Sequence, residues 1–317
     1  MKFRLPIVVI SLLLCSSSCV LSDEPCPGDK PTEENTIMSK LSIDLQGHRG
    51  CRGLRPENTW PGFQHAIDLG VSTLELDVII TGDQHFVVSH EPWVNGDICD
   101  GPGEGGDEKA LNMFRMSAQE IAQISCGTKP YANFPEQQQV ETHKPLLTDL
   151  VQKVLVYCEQ HRKPVPNINV EIKSRLEWEG TFHPDPETYV SHFLETFKSI
   201  DYPSRFIVQS FDLRVLRALK DRAPEIELAY LTFDAEDSPK KAIERLGFTP
   251  AIYSPDMLLV TAGTREACTQ LGIELVVWTV NEPADIERMV ALGVDGIISD
   301  YPNRVLDYAA TIGLQIQ

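Results

Sequence analysis

A chain of 317 residues, 42% hydrophobic and 23% charged, carries enough apolar material for one large core; a disordered, collagen-like or coiled-coil chain is excluded, and one domain of about 250 to 300 residues is favoured. Twenty-eight Lys and Arg stand against 46 Asp and Glu, a formal charge of −18 that repels polyphosphates and anionic surfaces unless a local cation reverses the field. Nucleic acid is therefore not an expected partner.

At the front, Lys2 and Arg4 flank an apolar run over 5–14, followed by Ser16, Ser17 and Ser18. A basic end, a short apolar stretch and small residues make a secretory signal over 1–18, too short for a spanning helix. Cys19 after three serines resembles the acceptor of a bacterial lipoprotein signal, although Ser16 stands where such signals usually carry Leu. Acylation at Cys19 and plain cleavage both stay open. The expected location is periplasmic, or in the envelope as a lipoprotein whose only membrane tie is that anchor.

Of eight cysteines, Cys15 lies in the signal, and none of the spacings matches a zinc pattern. Cys99 and Cys126 bracket a glycine-rich stretch and can bridge in an oxidising compartment; Cys158 and Cys268 read as free buried thiols. Residues 19–40, rich in Pro, Asp, Glu and Thr without period, read as a linker.

From 41 to 317 strand-like windows alternate with helix-period stretches. Strands are expected at 41–46, 73–80, 85–89, 168–172, 206–209, 228–231, 251–253, 275–280 and 296–299. Helices are expected at 61–69, 146–161, 187–199, 213–221, 240–246, 265–271, 284–292 and 304–312. Such alternation argues a parallel sheet with helices outside, either a closed eight-stranded barrel or a doubly wound sheet. Nine windows are one too many for a barrel, and the helix-free link over 73–89 and the short window at 251–253 are the suspects.

Polar residues interrupt the apolar strands at their C-terminal ends, where parallel α/β folds handle ligands. His48 and Arg49 follow the first strand, Glu75 and Asp77 lie in the second, His90 follows the third, and Glu171 and Lys173 end the fourth. With a period of two, Glu75 and Asp77 share a face, as do Glu171 and Lys173. Three carboxylates around one mouth repel one another unless a cation neutralises them, and hard oxygen donors suit Mg²⁺ or Ca²⁺. From spacing alone they serve equally well as separate salt-bridged strand-end residues. His48 and His90 supply groups that exchange protons near neutral pH. Arg49 and Lys173 offer positive charge to phosphate oxygens.

Gly47-His48-Arg49-Gly50, Pro56-Glu57-Asn58-Thr59, Glu75-Leu76-Asp77-Val78, Val87-Val88-Ser89-His90, Val170-Glu171-Ile172-Lys173, Trp278-Thr279-Val280-Asn281 and Asp295 to Asp300, taken together and in order, resemble the glycerophosphodiester phosphodiesterase family. The resemblance covers 47–302. It implies a (β/α)₈ barrel with an insertion after the third strand, one divalent cation (Ca²⁺ or Mg²⁺), and hydrolysis of small-molecule glycerophosphodiesters to glycerol 3-phosphate and an alcohol. Carried over, it implies Glu75, Asp77 and Glu171 as metal ligands, His48 and His90 as the acid/base pair, and Arg49, Lys173 and Trp278 as substrate contacts, the tryptophan stacking on glycerol carbons. Glu91 follows His90 where the family usually has Asp. A phospholipase-type lyase that stops at a cyclic phosphate, and a non-catalytic phosphodiester-binding envelope lipoprotein, are the alternatives.

Residues 91–143 leave the strand end beside His90. Gly96, Gly101, Gly103, Gly105 and Gly106 make the first part pliable, 110–124 has a helix-like pattern, and Tyr131 and Phe134 offer apolar surface. A partial lid that selects the alcohol and a surface excursion are both open. Gln209 and Asn281 are expected as hydroxyl contacts, Thr59 as a helix N-cap and Asp300 as a cap or turn residue.

Overall fold

The computed structural model describes residues 42–101 and 110–317; the expected signal and linker lie outside the described residues. Eight parallel strands close into a ring in the order β1 (Ser42–Gly47), β2 (Thr73–Ile80), β4 (Asn167–Ile172), β5 (Phe206–Ser210), β6 (Glu227–Thr232), β7 (Ile252–Pro255), β8 (Glu274–Val277) and β9 (Gly296–Ser299), with β9 pairing back onto β1. The ninth expected window is β3 (Phe86–Val88), which runs antiparallel to β2 through Val78↔Val88 and stays outside the ring. The suspect short window at 251–253 is a genuine barrel strand, β7. A two-residue β10 (Gln315–Ile316) pairs with β1.

The outer helices are α1 (Trp60–Leu69), α3 (Leu147–His161), α4 (Pro186–Lys198), α5 (Leu213–Arg222), α6 (Pro239–Leu246), α7 (Ala262–Leu271), α8 (Pro283–Ala291) and α9 (Pro302–Ile312). Their starts follow local chemistry. Asp185, Asp212 and Ser238 accept from backbone N–H groups of the first turn, and Thr261 and Thr264 form a reciprocal cap that opens α7 three residues before the expected start. Thr59 does stand at the α1 N-cap position, but its hydroxyl donates to Pro56 O instead of capping. No helix among the described residues is long and apolar enough to cross a membrane.

The period of two sorts each strand into two cores. Leu45, Leu74, Leu76, Val78, Val170 and Val208 face the helices and join the large core there. Inside the barrel the lining is divided. On β6 to β9 it is mainly apolar, with Ala229, Ile252, Val276 and Ile298, joined by Ile207 of β5 and broken by Ser254 of β7. On β1, β2, β4 and β5 it is polar: Asp44, Gln46, Thr73, Glu75, Asp77, Asn169, Glu171 and Gln209, all buried.

The segment between β3 and α3 packs against β2 and β3. Ile79, Val87, Val94, Ile98, Met113 and Ile121 form a separate small core, and Cys99 is bridged to Cys126 as expected. Cys51, Cys158 and Cys268 are free and buried. The helix-like pattern at 110–124 becomes a 3₁₀ turn (Met113–Arg115) and a five-residue helix α2 (Ala118–Ala122), because the chain extends at Met116, whose carbonyl accepts from Gly82 N (2.8 Å). Gly103, Gly105 and Gly106 lie outside the described residues.

Candidate active site

The turn after β1 depends on glycine. A Cβ on Gly47 would lie 2.0 Å from Gly50 O, and Gly50, at φ 89°, lies against the backbone of Gly62. This tight turn brings His48 and Arg49 over the barrel mouth and aims the Arg49 N–H at Glu75 Oε2 (2.8 Å).

Glu75 and Asp77 rise from β2, and Glu171 faces Asp77 across the β2–β4 register. One oxygen from each of the three carboxylates lies within 4.8 Å of the others. Lys173 Nζ sits 2.7 Å from Glu171 Oε1 and 3.6 Å from Asp77 Oδ1, while Arg49 lies 3.2 Å from Asp77 Oδ2 and 2.9 Å from Glu57 Oε1. Burial and then the charge of Asp77 hold Glu75 well above the usual carboxylate range. Burial also raises Glu171, against the pull of Lys173. For Asp77 burial is outweighed by Arg49 and Lys173, which hold it well below that range. The acids thus differ in protonation tendency although they adjoin, as expected of a cluster three negative charges deep with only two cations beside it. The buried acidic triad could bind a metal: three hard oxygen donors, two of them pushed toward protonation, suit a small divalent cation.

Each histidine is backed by a carboxylate. Asp300 Oδ1 accepts from His48 Nδ1 (2.6 Å) and Glu91 Oε1 lies 2.7 Å from His90 Nδ1, so in both rings the other nitrogen, Nε2, is left for chemistry. His48 Nε2 lies 4.0 Å from Glu75 Oε2. Burial, helped by the Arg52 charge and opposed by Asp300, pushes His48 down to about 4. Its imidazole is therefore neutral at pH 7, with Nδ1–H held by Asp300 and Nε2 able to accept a proton. Glu91, half-buried and paired with His90, is held down to about 2.

His48, Arg49, Glu75, His90, Glu171, Lys173 and Trp278 all line one pocket of about 250 Å³; Asp77 lies beneath its wall. Its opposite wall is aromatic, Phe233 against Phe211 (5.6 Å) and Phe211 edge-on to Trp278 (5.5 Å). Trp278 Nε1 donates to Ser254 O and the ring also packs on the apolar barrel interior, so this residue belongs to both core and pocket.

Several expectations change. Asp300 is no cap: it collects donors from His48, Arg52 and Asn281. Asn281 accordingly orients Asp300 and bonds Ser299, and it does not line the pocket. Gln209 does line it, but its Nε2 donates to Glu75 Oε1 (2.8 Å). Asn169 Nδ2 donates to Gln209 Oε1 (3.1 Å) and to Gln46 Oε1 (2.8 Å), and Gln46 Nε2 donates to Asp44 Oδ2 (2.7 Å). This chain of amides fixes which end of Gln209 meets Glu75. Asn58 Nδ2 likewise donates to Asp77 Oδ2 (2.8 Å). Among the described residues, none of 92–143 lines the pocket; that segment supports the β1 turn from outside through Gln137, which donates to Arg52 O, and Lys144 just beyond it donates to Glu57 O.

Residues 48–304 match the sequence profile of the Glycerophosphoryl diester phosphodiesterase family. The chain belongs to that family. As a member it is a phosphoric diester hydrolase. It is 29% identical over 262 residues to the glycerophosphodiester phosphodiesterase of Caldanaerobacter subterraneus subsp. tengcongensis, covering 82% of this chain and 95% of that one. A candidate glycerophosphoryl diester phosphodiesterase from Silicibacter pomeroyi superposes with TM-score 0.77 at 29% identity, over 88% of this chain and 96% of that one. An Oleispira antarctica phosphodiesterase, solved in complex with its product sn-glycerol-3-phosphate, superposes with TM-score 0.68 at 20% identity over 86% and 98% of the two chains, a likeness of fold. The closed eight-stranded barrel with outer helices is the fold of this family's solved structures.

Proposed function

We propose that this protein hydrolyses glycerophosphodiesters to glycerol 3-phosphate and an alcohol, with His48 as proton acceptor and His90 as proton donor. The observation that carries the reading is the pair of carboxylate-backed imidazoles in one pocket with the buried acidic triad. A non-catalytic binder needs charge but no such pair.

Glu75, Asp77 and Glu171 would hold one divalent cation, Ca²⁺ or Mg²⁺, which when bound supplies Lewis-acid polarisation of a phosphoryl oxygen. Arg49 and Lys173 present positive charge to the phosphate, and the aromatic wall with Trp278 covers the carbon side of the glycerol. His48 Nε2 takes the proton of the glycerol 2-hydroxyl as that oxygen attacks phosphorus, and Asp300 steadies the imidazolium so formed. His90 Nε2 gives a proton to the departing alcohol, with ionised Glu91 as counter-charge. Water then opens the cyclic phosphate with the two roles reversed. The disulfide fits an oxidising compartment and, with the apolar N-terminus, supports export beyond the inner membrane, tethered through Cys19 or released.

The test is hydrolysis of glycerophosphocholine followed by phosphorus NMR, with and without chelator and with Ca²⁺ or Mg²⁺ added back. Glycerol 3-phosphate that appears only with cation is the expected result. A persistent cyclic diester would make the protein a lyase, and chelator-resistant turnover would remove the metal from the reading.

A further inference from the structure

The three most exposed large apolar side chains among the described residues are Leu258, Leu176 and Phe233, at 75%, 72% and 69%; the other exposed ones, such as Val156 and Leu271, are at 39% or less. All three sit on loops that leave the C-terminal ends of barrel strands, after β4, β6 and β7, on the face that carries the pocket. Strands β6 and β7 are paired up to Thr232↔Pro255, so the Phe233 and Leu258 loops are neighbours; Leu176 and Phe233 line one groove across Phe211. Scattered apolar side chains on a surface mean little, but the most protruding ones gathered on one rim mark a contact surface.

The groove beside these tips mixes both signs, Glu177 and Asp212 lining it together with four arginines. Arg175, Arg214, Arg217 and Arg245 line the groove beside Leu176 and Phe233. Arg214 and Arg245 are bound to carboxylates and Arg217 to the carbonyls of Arg245 and Leu246 at the C-terminal end of α6, whereas the half-exposed Arg175 lies 4.0 Å from its nearest acid, Glu177. Protruding leucine and phenylalanine next to guanidinium groups is the chemistry that enters a lipid interface, apolar tips among acyl chains and arginines at phosphates. A soluble anion would need no apolar tips.

We propose that the barrel docks mouth-down on a phospholipid bilayer through Leu176, Phe233 and Leu258, with Arg175 at the headgroup phosphates. The pocket then opens toward the surface from which deacylated lipid products leave.

The full chain carries an apolar N-terminal stretch, so the test must report on the rim itself. Leu258→Trp on the rim and Ile312→Trp at the end of α9, on the opposite face, are each mixed with vesicles of phosphatidylcholine and phosphatidylglycerol whose acyl chains carry bromine. Read as the difference from wild type, whose own tryptophans include Trp178 on the rim, lipid-dependent quenching of the added indole is expected to be about twofold at 258, with none at 312. Partition of the Leu176→Ser, Leu258→Ser double variant should fall about tenfold, since two leucines no longer leave water, while its turnover of glycerophosphocholine stays at the wild-type value. Equal quenching at both positions, no quenching at 258, or unchanged partition of the double variant overturns the proposal. So does concentration-dependent dimerisation abolished by the double variant without quenching at 258, which assigns the rim to a second copy of the chain.

Discussion

Asp300→Asn tests how the His48 face is built. Three residues converge on this carboxylate: His48 Nδ1 at 2.6 Å and Arg52 Nε at 2.5 Å on Oδ1, and Asn281 Nδ2 at 2.7 Å on Oδ2, where Arg52 Nη2 also reaches at 3.5 Å. Asn281 cannot turn its amide round to help, because its Oδ1 already accepts from Asp300 N (2.9 Å) and Ser299 Oγ (3.2 Å). An amide at 300 offers one oxygen where two are used. Its NH₂ therefore faces either Asn281 or the His48–Arg52 side, donor to donor. Leaving one such buried group unmet costs about 1 to 3 kcal/mol. If the NH₂ turns to His48, it selects the tautomer with the proton on Nε2 and removes the proton acceptor, a loss of about 10²- to 10⁴-fold in kcat. Steady-state kinetics on glycerophosphocholine at saturating cation, alongside urea unfolding, separates the two effects. A variant with kcat within about threefold of wild type and an unchanged urea midpoint would refute the reasoning.

Acid should unfold the protein partly through His48. Burial lowers this group from its ordinary 6.5 to about 4, so between those values the unfolded chain binds a proton that the folded chain refuses. Stability from this group is constant above pH 6.5, falls by about 3 kcal/mol as pH drops to 4, and is flat below. Urea titrations of wild type and His48→Gln across that window, in chelator, should differ by that slope, and parallel curves would contradict it. Asn169→Leu, which keeps the volume but breaks the amide chain to Gln209, should weaken binding of the proposed divalent cation, measured by calorimetry with calcium, about 10- to 100-fold, as loss of a group that orients a ligand does. An unchanged affinity would show that Glu75 needs no such support. Replacing Cys99 and Cys126 together by Ser should cost about 3 to 4 kcal/mol in thermal or urea unfolding on the loop-entropy account. An unshifted midpoint would show that the small core of that segment holds by itself.

The residues legible in the sequence were those whose context was local. Glu75, Asp77, Glu171 and Lys173 stand out because they interrupt strands that are otherwise apolar and buried, where a charge needs a purpose. Asp300 ends β9 with the same grammar, yet Tyr301-Pro302 after it reads as a turn and conceals it. Glu57, Asn58 and Asn281 act through partners on other loops, and no spacing records that Asn58 will meet Asp77 or that Asn281 will hold Asp300. The helix-like pattern at 110–124 misleads for a related reason: its apolar residues serve a small core with β2 and β3 rather than one face of a long helix. The doubt over nine strands was resolved only by pairing, since an antiparallel rung on β2 and a short barrel strand look alike in one dimension.

The segment from 91 to 143 begins and finishes at one place on the barrel. Val88 N donates to Pro145 O (2.9 Å) and Val87 bridges Leu146, so the chain departs and returns side by side. A closed loop of this kind is a cassette. It can be lengthened, shortened or exchanged with little strain on the ring, provided Gln137, or a replacement for it, still braces the β1 turn beside the retained Lys144. Divergence among relatives can accumulate there while the hydrolytic centre is inherited intact.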